Sequence, residues 1–423
     1  MGERGATDEQ SVLRDPQFVR YLVSRGLSGA GNVATLIALP VLIYRTSNDP
    51  ALTALVAALA AAPYLLFGLF SGALTDRWNR KKVMVSADLL NCLVLGSIPV
   101  AAALHSVTVP HVLVVAFLAP TIGVFFDGAV FGAVPMLVGR HRIAEANSVS
   151  WSLQSVIEIA VPSMIGALLA VVDAAWLLGI DAVTYAASAA LIAGVTRPMH
   201  DASRERPPLT VRQVMRDIRE GLDFLVRHPG VRSMTVIGFL LMLGIGGYMA
   251  LSVVWIDRVL GLGTEGWRFG TTYVAWAVGG LAASLSLPRV VTFVSPARIA
   301  LTMLPASAVL GLVCSRVQVW WIAAGLFVLW AAATTLVVIN SVTYRQQVTP
   351  EHLLGRVNTA GRMLSWGCGW TGGALLSGVV VGPLGLRPTM LLFACVVSLA
   401  AAFAWLSPLP RIARDPLREP VPA

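Results

Sequence analysis

Long apolar stretches separated by short polar ones recur along the whole chain. Each stretch holds about 20 residues, the length that an α-helix needs to cross the hydrocarbon core of a bilayer. A polar segment of mixed charge precedes the first stretch, and one longer polar segment lies near the middle. The pattern predicts an all-α membrane protein with twelve transmembrane helices. The predicted spans are 18–44, 51–74, 83–104, 111–138, 149–172, 175–196, 233–256, 268–288, 297–315, 318–341, 358–381 and 386–407.

Composition agrees with a membrane location. Of the 423 residues, 56% are hydrophobic and 13% are charged, whereas soluble domains carry about 25% charged residues. The net charge of +9 would suggest nucleic-acid binding in a soluble protein, but the cations concentrate in alternate loops. Under the positive-inside rule those loops and both termini lie in the cytoplasm. We expect a monomer in the inner membrane, surrounded by the lipid bilayer, with no nucleic-acid partner.

The long polar segment divides the chain into two halves of six spans. The predicted domains are a cytoplasmic N-terminus (1–17), an N-terminal bundle (18–196), a cytoplasmic linker (197–232), a C-terminal bundle (233–407) and a cytoplasmic C-terminus (408–423). In the linker, a proline pair precedes apolar residues at helical spacing. This pattern predicts an amphipathic helix that lies on the inner membrane surface and tethers the halves.

A basic hairpin joins the second and third spans and carries four cations among residues 72–82. Its sequence resembles the signature loop of the major facilitator superfamily, Gly-x-Leu-x-Asp-Arg-x-Gly-Arg-Lys, with Asn79 at the second Gly. The resemblance implies two pseudo-symmetric six-helix bundles that expose a central cavity to alternate sides. It also implies a conformational gate in which Asp76 meets the start of the eleventh span. The candidate gate residues are Gly72, Asp76, Arg77, Arg80, Asp88 and Arg362.

Further segments narrow the resemblance. Several segments are similar to the drug:proton antiporter branch that resembles macrolide and enterobactin exporters. They are 219–225 with 228–229, 346–350 with 354–358, Phe126-Asp127 in the fourth span, 145–147 after it, and Arg362 with 366–367. The resemblance covers the whole chain. It implies export of a small molecule in exchange for protons, and it leaves the substrate open.

Charged side chains at membrane depth are functional candidates because each costs at least about 2.5 to 3.5 kcal/mol on insertion scales. Glu158 falls near the middle of the fifth span, and Gln154 lies one turn earlier on the same face. Glu158 is either a protonatable group facing the cavity or a brace neutralised by a cation such as Arg25. The antiport pattern of this span, Gly-Pro-x-x-Gly-Gly, survives only as Pro162 and Gly166.

Asp127, in the middle of the fourth span, is the second candidate for proton coupling, with a structural role in a tight helix contact as the alternative. Asp181 lies nearer the outer end of the sixth span, where water would reach it. Asp88 is expected to partner the hairpin cations. Arg25 and Arg362 either snorkel to the inner surface or form a gate ion pair with Asp76 or Asp88. Arg25, Gln154 and Asp181 are candidates for the substrate cavity.

Four tryptophans within the spans would suit either an aromatic wall for an amphipathic substrate or helix packing. They are Trp276, Trp330, Trp366 and Trp370. The sequence holds no metal-ligand spacing, phosphate loop or nucleophile elbow, and therefore predicts neither an enzyme nor a cofactor. We expect a proton-driven exporter of a small, largely apolar molecule. A lipid or lysolipid flippase of the same fold, a non-transporting membrane sensor and a membrane enzyme are the alternatives.

Overall fold

The structure of the chain, a computed structural model, describes residues 11–75, 78–139, 142–199 and 211–414. Its regular elements are helical throughout the described residues. They are α1 (Pro16–Ser47), α2 (Pro50–Thr75), α3 (Arg80–Ala103), α4 (Val109–Val138), α5 (Ile143–Leu168), α6 (Ala174–Ala193), α7 (Val211–Arg227), α8 (Pro229–Ala250), α9 (Ser252–Arg258), α10 (Trp267–Phe293), α11 (Pro296–Cys314), α12 (Trp320–Val348), α13 (Glu351–Arg362), a π-helical segment (Met363–Trp370), α14 (Thr371–Leu384), α15 (Leu386–Leu406) and α16 (Leu409–Arg414).

The helices confirm the all-α membrane fold. Eleven helices among the described residues are long and apolar enough to cross a membrane. The eighth predicted span, 268–288, coincides with the 27-residue helix α10. The seventh span is interrupted where α8 gives way to α9, and the eleventh comprises α13, the π-helical segment and α14.

Polar side chains cap the start of two of the spanning helices. Asn79 precedes α3, and its side-chain oxygen accepts a hydrogen bond from the backbone N–H of Lys82 at 3.1 Å. Asp173 precedes α6 and accepts from the N–H of Ala175 at 2.8 Å. Each contact satisfies a backbone donor that the first helical turn leaves without a partner. The departure of Asn79 from the glycine of the superfamily pattern therefore supplies a helix cap.

The described residues pack as two compact units, which are considered separately. Unit 1 comprises Met1–Ala38, Phe67–Val161 and Asp173–Pro208. Unit 2 comprises Leu39–Leu66, Pro162–Val172 and Leu209–Ala423. Helices α1, α2 and α5 thus contribute residues to both units. The boundaries between two six-helix bundles remain a prediction.

The core of unit 1 forms where α1, α3, α4 and α6 meet. It is built from fully buried apolar side chains, among them Phe18, Tyr21, Met84, Leu137 and Ile192. The core of unit 2 is aromatic. Its rings are Tyr248, Trp255, Trp276, Phe327 and Trp330.

Two of the four tryptophans that were candidates for an aromatic wall belong to this core. Trp330 is completely buried, and its indole N–H donates to the hydroxyl of Ser307 at 3.0 Å. Trp276 packs edge-on against it, with ring centroids 5.6 Å apart. Trp366 and Trp370 stack on each other at 5.6 Å, and Trp366 is 48% exposed. Helix packing therefore accounts for the first pair, and only the second pair presents an open aromatic surface.

Within unit 2, α5 and α10 approach each other through glycines. The N–H of Gly266 donates to the carbonyl of Gly166 at 2.7 Å. A Cβ placed at Gly270 would lie 2.5 Å from the carbonyl oxygen of Pro162. The Pro162 and Gly166 that survive from the antiport pattern therefore lie where α5 contacts α10. Gly266 itself has φ +85°, a backbone conformation that favours glycine.

Replacing Gly270 by alanine is expected to destabilise the protein by about 1–3 kcal/mol, because the added methyl group would overpack a contact between two backbones. The thermal unfolding midpoint of the protein in detergent measures this effect. Gly325→Ala is the control, since a Cβ at position 325 meets nothing within 4 Å. Equal midpoints for the two variants would contradict the close approach.

The predicted amphipathic helix of the linker is present as α7. Glu220 on α7 forms an ion pair with Arg356 on α13. A Cβ at Gly221 would lie 2.8 Å from the carbonyl oxygen of Arg356, so the two helices are in close contact. Leu225 is buried. Helix α7 thus packs against the first part of the eleventh span, in addition to any contact that it makes with lipid.

Candidate functional site

Arg25 on α1 faces Asp127 on α4. The guanidinium Nη2 lies 3.9 Å from Oδ1 of Asp127, and the two side chains are 32% and 43% exposed. The guanidinium carbon lies 5.0 Å from the centre of the Phe126 ring, a cation–π arrangement that orients it. Of the partners considered from the sequence for Arg25, the structure supports neither Glu158 nor Asp88 as a direct ion pair. It pairs Arg25 with Asp127 instead.

Asp127 also lies beside the tight helix contact that its neighbouring glycine predicts. A Cβ at Gly128 would lie 2.9 Å from the hydroxyl of Thr75 and 3.1 Å from the backbone of Ser71 on α2. Close packing around residue 128 and an ion pair at residue 127 therefore coexist. A structural role and a role in coupling remain compatible for Asp127.

Glu158 and Gln154 occupy one face of α5, as their spacing predicts. The amide of Gln154 donates to Oε1 of Glu158 at 2.9 Å, and Glu158 is exposed. Gln154 also lies against α1, because a Cβ at Gly29 would be 3.2 Å from its amide oxygen. The interpretation of Glu158 as a brace neutralised by Arg25 is wrong, since its described partner is an uncharged amide.

Asp181 is the largest correction to the expectations from sequence. It was expected near the outer end of α6 and in contact with water, but it is 1% exposed. The hydroxyl of Thr35 on α1 donates to Oδ2, and the hydroxyl of Thr184 lies 3.0 Å from Oδ1. Position along a helix predicts depth but not direction, and Asp181 points at α1 rather than at an open surface.

Asp88 is also buried, with 1% exposure. Its carboxylate accepts a hydrogen bond from the hydroxyl of Ser188 on α6 at 2.6 Å. The expectation that it partners the hairpin cations is therefore wrong for the described residues. The cation that interacts with it electrostatically is Arg25.

Two of the predicted gate residues, Asp76 and Arg77, lie outside the described residues, and Gly72 is described only as part of α2. Arg80 is buried at the start of α3. Its neighbour Lys81 donates from Nζ to two carbonyl oxygens at the end of α6, each at 2.8 Å. Arg362 is exposed at the end of α13. The proposed contact between Asp76 and the eleventh span remains a prediction.

Asp15 and Arg197 join the residue before α1 to the polar segment after α6. Nη1 of Arg197 donates to Oδ2 of Asp15 at 2.6 Å. Burial acts to raise the pKa of Asp15, but the hydrogen bonds and charge of Arg197 and two backbone N–H groups outweigh it and leave this pKa below its usual value. The pair therefore stabilises the fold at neutral pH, and this contribution is lost as pH falls through the lowered pKa.

A polar cluster that the sequence analysis missed joins α1 and α9 within unit 2. The hydroxyl of Tyr44 donates to Oδ2 of Asp257 at 2.7 Å and accepts from Nε of Arg258 at 2.8 Å. Nη2 of Arg258 also donates to the side-chain oxygen of Asn48 at 2.9 Å and to its carbonyl at 3.1 Å. We call Tyr44, Asn48, Asp257 and Arg258 the outer cluster, because they lie at the span ends that the charge pattern predicts to be outside.

An ion pair between Arg45 and Glu265 lies close to the outer cluster in sequence. Arg45 donates from Nη2 to Glu265 and from Nε to the hydroxyl of Thr264, both at 2.8 Å. No local sequence pattern predicts these contacts, because Tyr44 and Asp257 lie 213 residues apart and Arg45 and Thr264 lie 219 residues apart.

Comparison with known proteins identifies the family. The model of a transmembrane secretion effector family, MFS_3, matches residues 9–419. This chain belongs to that family. The membership confirms the resemblance to the major facilitator superfamily, and it identifies a multi-pass membrane transporter rather than an enzyme.

Relatives of this MFS_3 protein carry export functions in their names. It is 29% identical over 375 residues to the multidrug efflux pump Tap of Mycolicibacterium fortuitum, and the aligned region covers 86% of this chain and 89% of Tap. It is 24% identical over 225 residues to macrolide efflux protein A of Streptococcus pyogenes, covering 52% and 55%. It is 24% identical over 344 residues to the enterobactin exporter EntS of Citrobacter koseri, covering 80% and 77%.

Solved structures confirm the fold of the MFS_3 chain. The nucleoside transporter NupG matches with a TM-score of 0.74 at 12% identity, covering 92% of this chain and 98% of that one. A bacterial homologue of the iron transporter ferroportin, in an inward-facing state, matches with a TM-score of 0.72 at 17% identity, covering 94% and 99%. These likenesses concern the fold alone.

Proposed function

We propose that this protein exports a small, largely apolar molecule from the cytoplasm in exchange for protons that move inward. In this proposal it acts as a monomer in the cytoplasmic membrane, with both termini in the cytoplasm, and needs no cofactor besides the proton gradient. Each proton that enters contributes about 2.3 kcal/mol per 100 mV of membrane potential. The cavity opens to the two sides of the membrane in turn.

The observation that carries the proton-coupling part is the charge balance inside unit 1. One guanidinium, that of Arg25, interacts electrostatically with Asp88 and Asp127, and Asp88 in turn interacts with Asp181. With all three carboxyls ionised, this group would carry one positive and three negative charges. Unpaired charge is costly at membrane depth, and in this proposal a carboxyl of the group binds a proton in part of the transport cycle. Release of such protons on the other side of the membrane would couple their flow to transport.

The substrate class follows from the relatives and from the exposed surfaces. Tap, macrolide efflux protein A and EntS are named for drugs, macrolides and a siderophore. These ligands combine apolar area with polar groups. Within unit 2, the stacked pair of Trp366 and Trp370 offers aromatic surface. Within unit 1, considered separately, exposed Glu158 with Gln154 offers polar contacts. We therefore assign a drug, siderophore or other secondary metabolite as the substrate class.

The conformational gate is part of the same proposal. In one state, Asp76 of the basic hairpin would meet the start of the eleventh span, and Gly72, Arg77 and Arg80 of the same hairpin belong to the gate. Helix N-termini attract carboxylates by about 0.3–2 kcal/mol, which biases a two-state equilibrium without locking it. Arg362, exposed at the end of α13, would contribute a cation on the opposing face.

Efflux of a lipophilic fluorescent dye from cells that express the protein tests the proposal. The native protein is expected to lower dye accumulation, and an uncoupler is expected to abolish the effect. Glu158→Gln and Asp127→Asn are each expected to reduce efflux to background, because neither side chain could then exchange a proton. Asp223→Asn is the control, since Asp223 is exposed on α7 and pairs only with Arg227 among the described residues.

Efflux that survives the uncoupler would contradict proton coupling, and normal efflux by both variants would remove Glu158 and Asp127 from the mechanism. If the native protein moves no dye, the same comparison is made with a radiolabelled siderophore and with a fluorescent lysolipid. Transport of the lysolipid alone would replace the proposed export with lipid flipping.

A further inference from the structure

Asp181 is enclosed where α1 crosses α6. It is 1% exposed, and a Cβ at Gly31 would overlap both its Oδ1 atom and the hydroxyl of Thr184. Glycine at position 31 therefore lets the α1 backbone lie directly on the carboxyl group. No cation among the described residues lies within 4 Å of it, whereas most buried carboxylates are paired with one.

The hydrogen bonds around Asp181 are compatible with a protonated carboxyl group. A threonine hydroxyl has one hydrogen to donate. The hydroxyl of Thr184 lies 2.8 Å from the carbonyl oxygen of Asp181 and 3.0 Å from its Oδ1. If the hydrogen goes to the nearer carbonyl, the contact with Oδ1 requires a hydrogen on the carboxyl. The hydroxyl of Thr35 donates a hydrogen bond to the other carboxyl oxygen, Oδ2.

The charged and titratable groups around Asp181 favour the same state. Asp88 and Tyr185 interact with it electrostatically. The cation of the region, Arg25, lies against Asp127 at 3.9 Å. Asp88 is acidic, so an ionised Asp181 would face like charge, and no cation among the described residues forms an ion pair with it. A neutral, protonated Asp181 fits this surrounding.

The position of the contact on α1 gives it a consequence for transport. Gly31 and Thr35 lie shortly before residue 39, where α1 passes from unit 1 to unit 2. The same helix continues to Pro40 and to Tyr44 of the outer cluster. A group that holds or releases α1 at residues 31–35 therefore acts on the segment that leads to that cluster.

We infer that Asp181 is a proton-binding site of the transport cycle, and that loss of its proton releases α1 from α6 because the carboxylate then needs water or a cation. The inference rests on the proposed proton-driven export and assigns a coupling residue to it in addition to Glu158 and Asp127. The step is a proton transfer to and from the Asp181 carboxyl, with bulk water as donor and acceptor.

Two measurements on the full-length protein in proteoliposomes test the inference. Asp181→Asn, which mimics the protonated group permanently, is expected to exchange dye across the membrane without a gradient but to lose accumulation driven by a pH gradient. Infrared difference spectroscopy of the native protein against this variant is expected to show a protonated carboxyl band that disappears as pH rises. The control Asp223→Asn should retain both dye exchange and gradient-driven accumulation.

A second pair of variants covers the case in which Asp181→Asn does not fold. Thr35→Val removes a donor to the carboxylate, whereas Thr35→Ser keeps it. Thr35→Val is expected to shift the pH midpoint of gradient-driven transport by about one pH unit, because it removes one hydrogen bond to a charged group. Thr35→Ser is expected to leave this midpoint unchanged.

Wild-type gradient-driven accumulation by Asp181→Asn would overturn the inference. So would the absence of any infrared band assignable to Asp181, or equal midpoints for the two Thr35 variants. If the native protein itself ignores the pH gradient, the proposed export fails. The infrared titration then still decides whether Asp181 binds a proton.

Discussion

Arg258→Gln is expected to separate the outer end of α1 from α9 and to lower efflux about tenfold. Arg258 makes three hydrogen bonds, one to Tyr44 and two to Asn48. Because Arg258 is exposed, each of these hydrogen bonds is expected to contribute only about 0.5 kcal/mol of stability, the lower end of the usual range. Their sum of about 1.5 kcal/mol corresponds to roughly a tenfold change in population. Without these bonds between α1 and α9, the protein would spend less of its transport cycle in the conformation of this structure.

Distances between spin labels at residues 47 and 262 measure this separation in the purified protein. We expect one short distance in the native protein and a second, longer one in Arg258→Gln. Arg268→Gln is the matched control, because Arg268 lies on the rings of Trp267 and Trp320 and has no part in the outer cluster. An unchanged distance distribution together with normal efflux would show that the outer cluster does not bias the conformational equilibrium.

The spans could be predicted from sequence because their signal is local. Apolar content over about 20 residues determines whether a helix can cross the bilayer, and each predicted span lies on a helix or on consecutive helices. The pair of Gln154 and Glu158 was predictable for the same reason, since residues four apart on a helix are neighbours. Here the sequence pattern and the observed contact agree.

The partners of the other charged residues could not be predicted, because they depend on which helices pack together. Asp88 meets Ser188 and Asp181 meets Thr35, and each partner comes from a different helix. Neither contact leaves a periodic trace in the sequence. The same holds for Tyr44 and Arg258, which lie 214 residues apart. The sequence indicates how far along its span each of these groups lies, whereas the packing of the helices determines which residue it contacts.

Arg25→Gln is expected to abolish proton-driven efflux. The guanidinium of Arg25 lies against Asp127 and interacts electrostatically with Asp88, so its loss removes a positive charge from beside two carboxyls. Removing a positive charge at this depth makes the ionised state of the site more costly, and the proposed coupling needs that state. Arg25→Lys keeps the charge but loses the planar contact with the Phe126 ring, and should retain partial activity.

A double-mutant cycle separates the loss of coupling from a loss of fold. Asp127→Asn in the Arg25→Gln background removes a carboxyl that has lost its contact with the guanidinium. We expect this double variant to recover the thermal stability of the native protein to within about 1 kcal/mol without recovering proton-driven efflux. Stability losses that simply add would show that the 3.9 Å pair contributes nothing to the fold. Efflux by the double variant would show that neither Arg25 nor Asp127 is needed for coupling, and Glu158 and Asp181 would remain as the candidates.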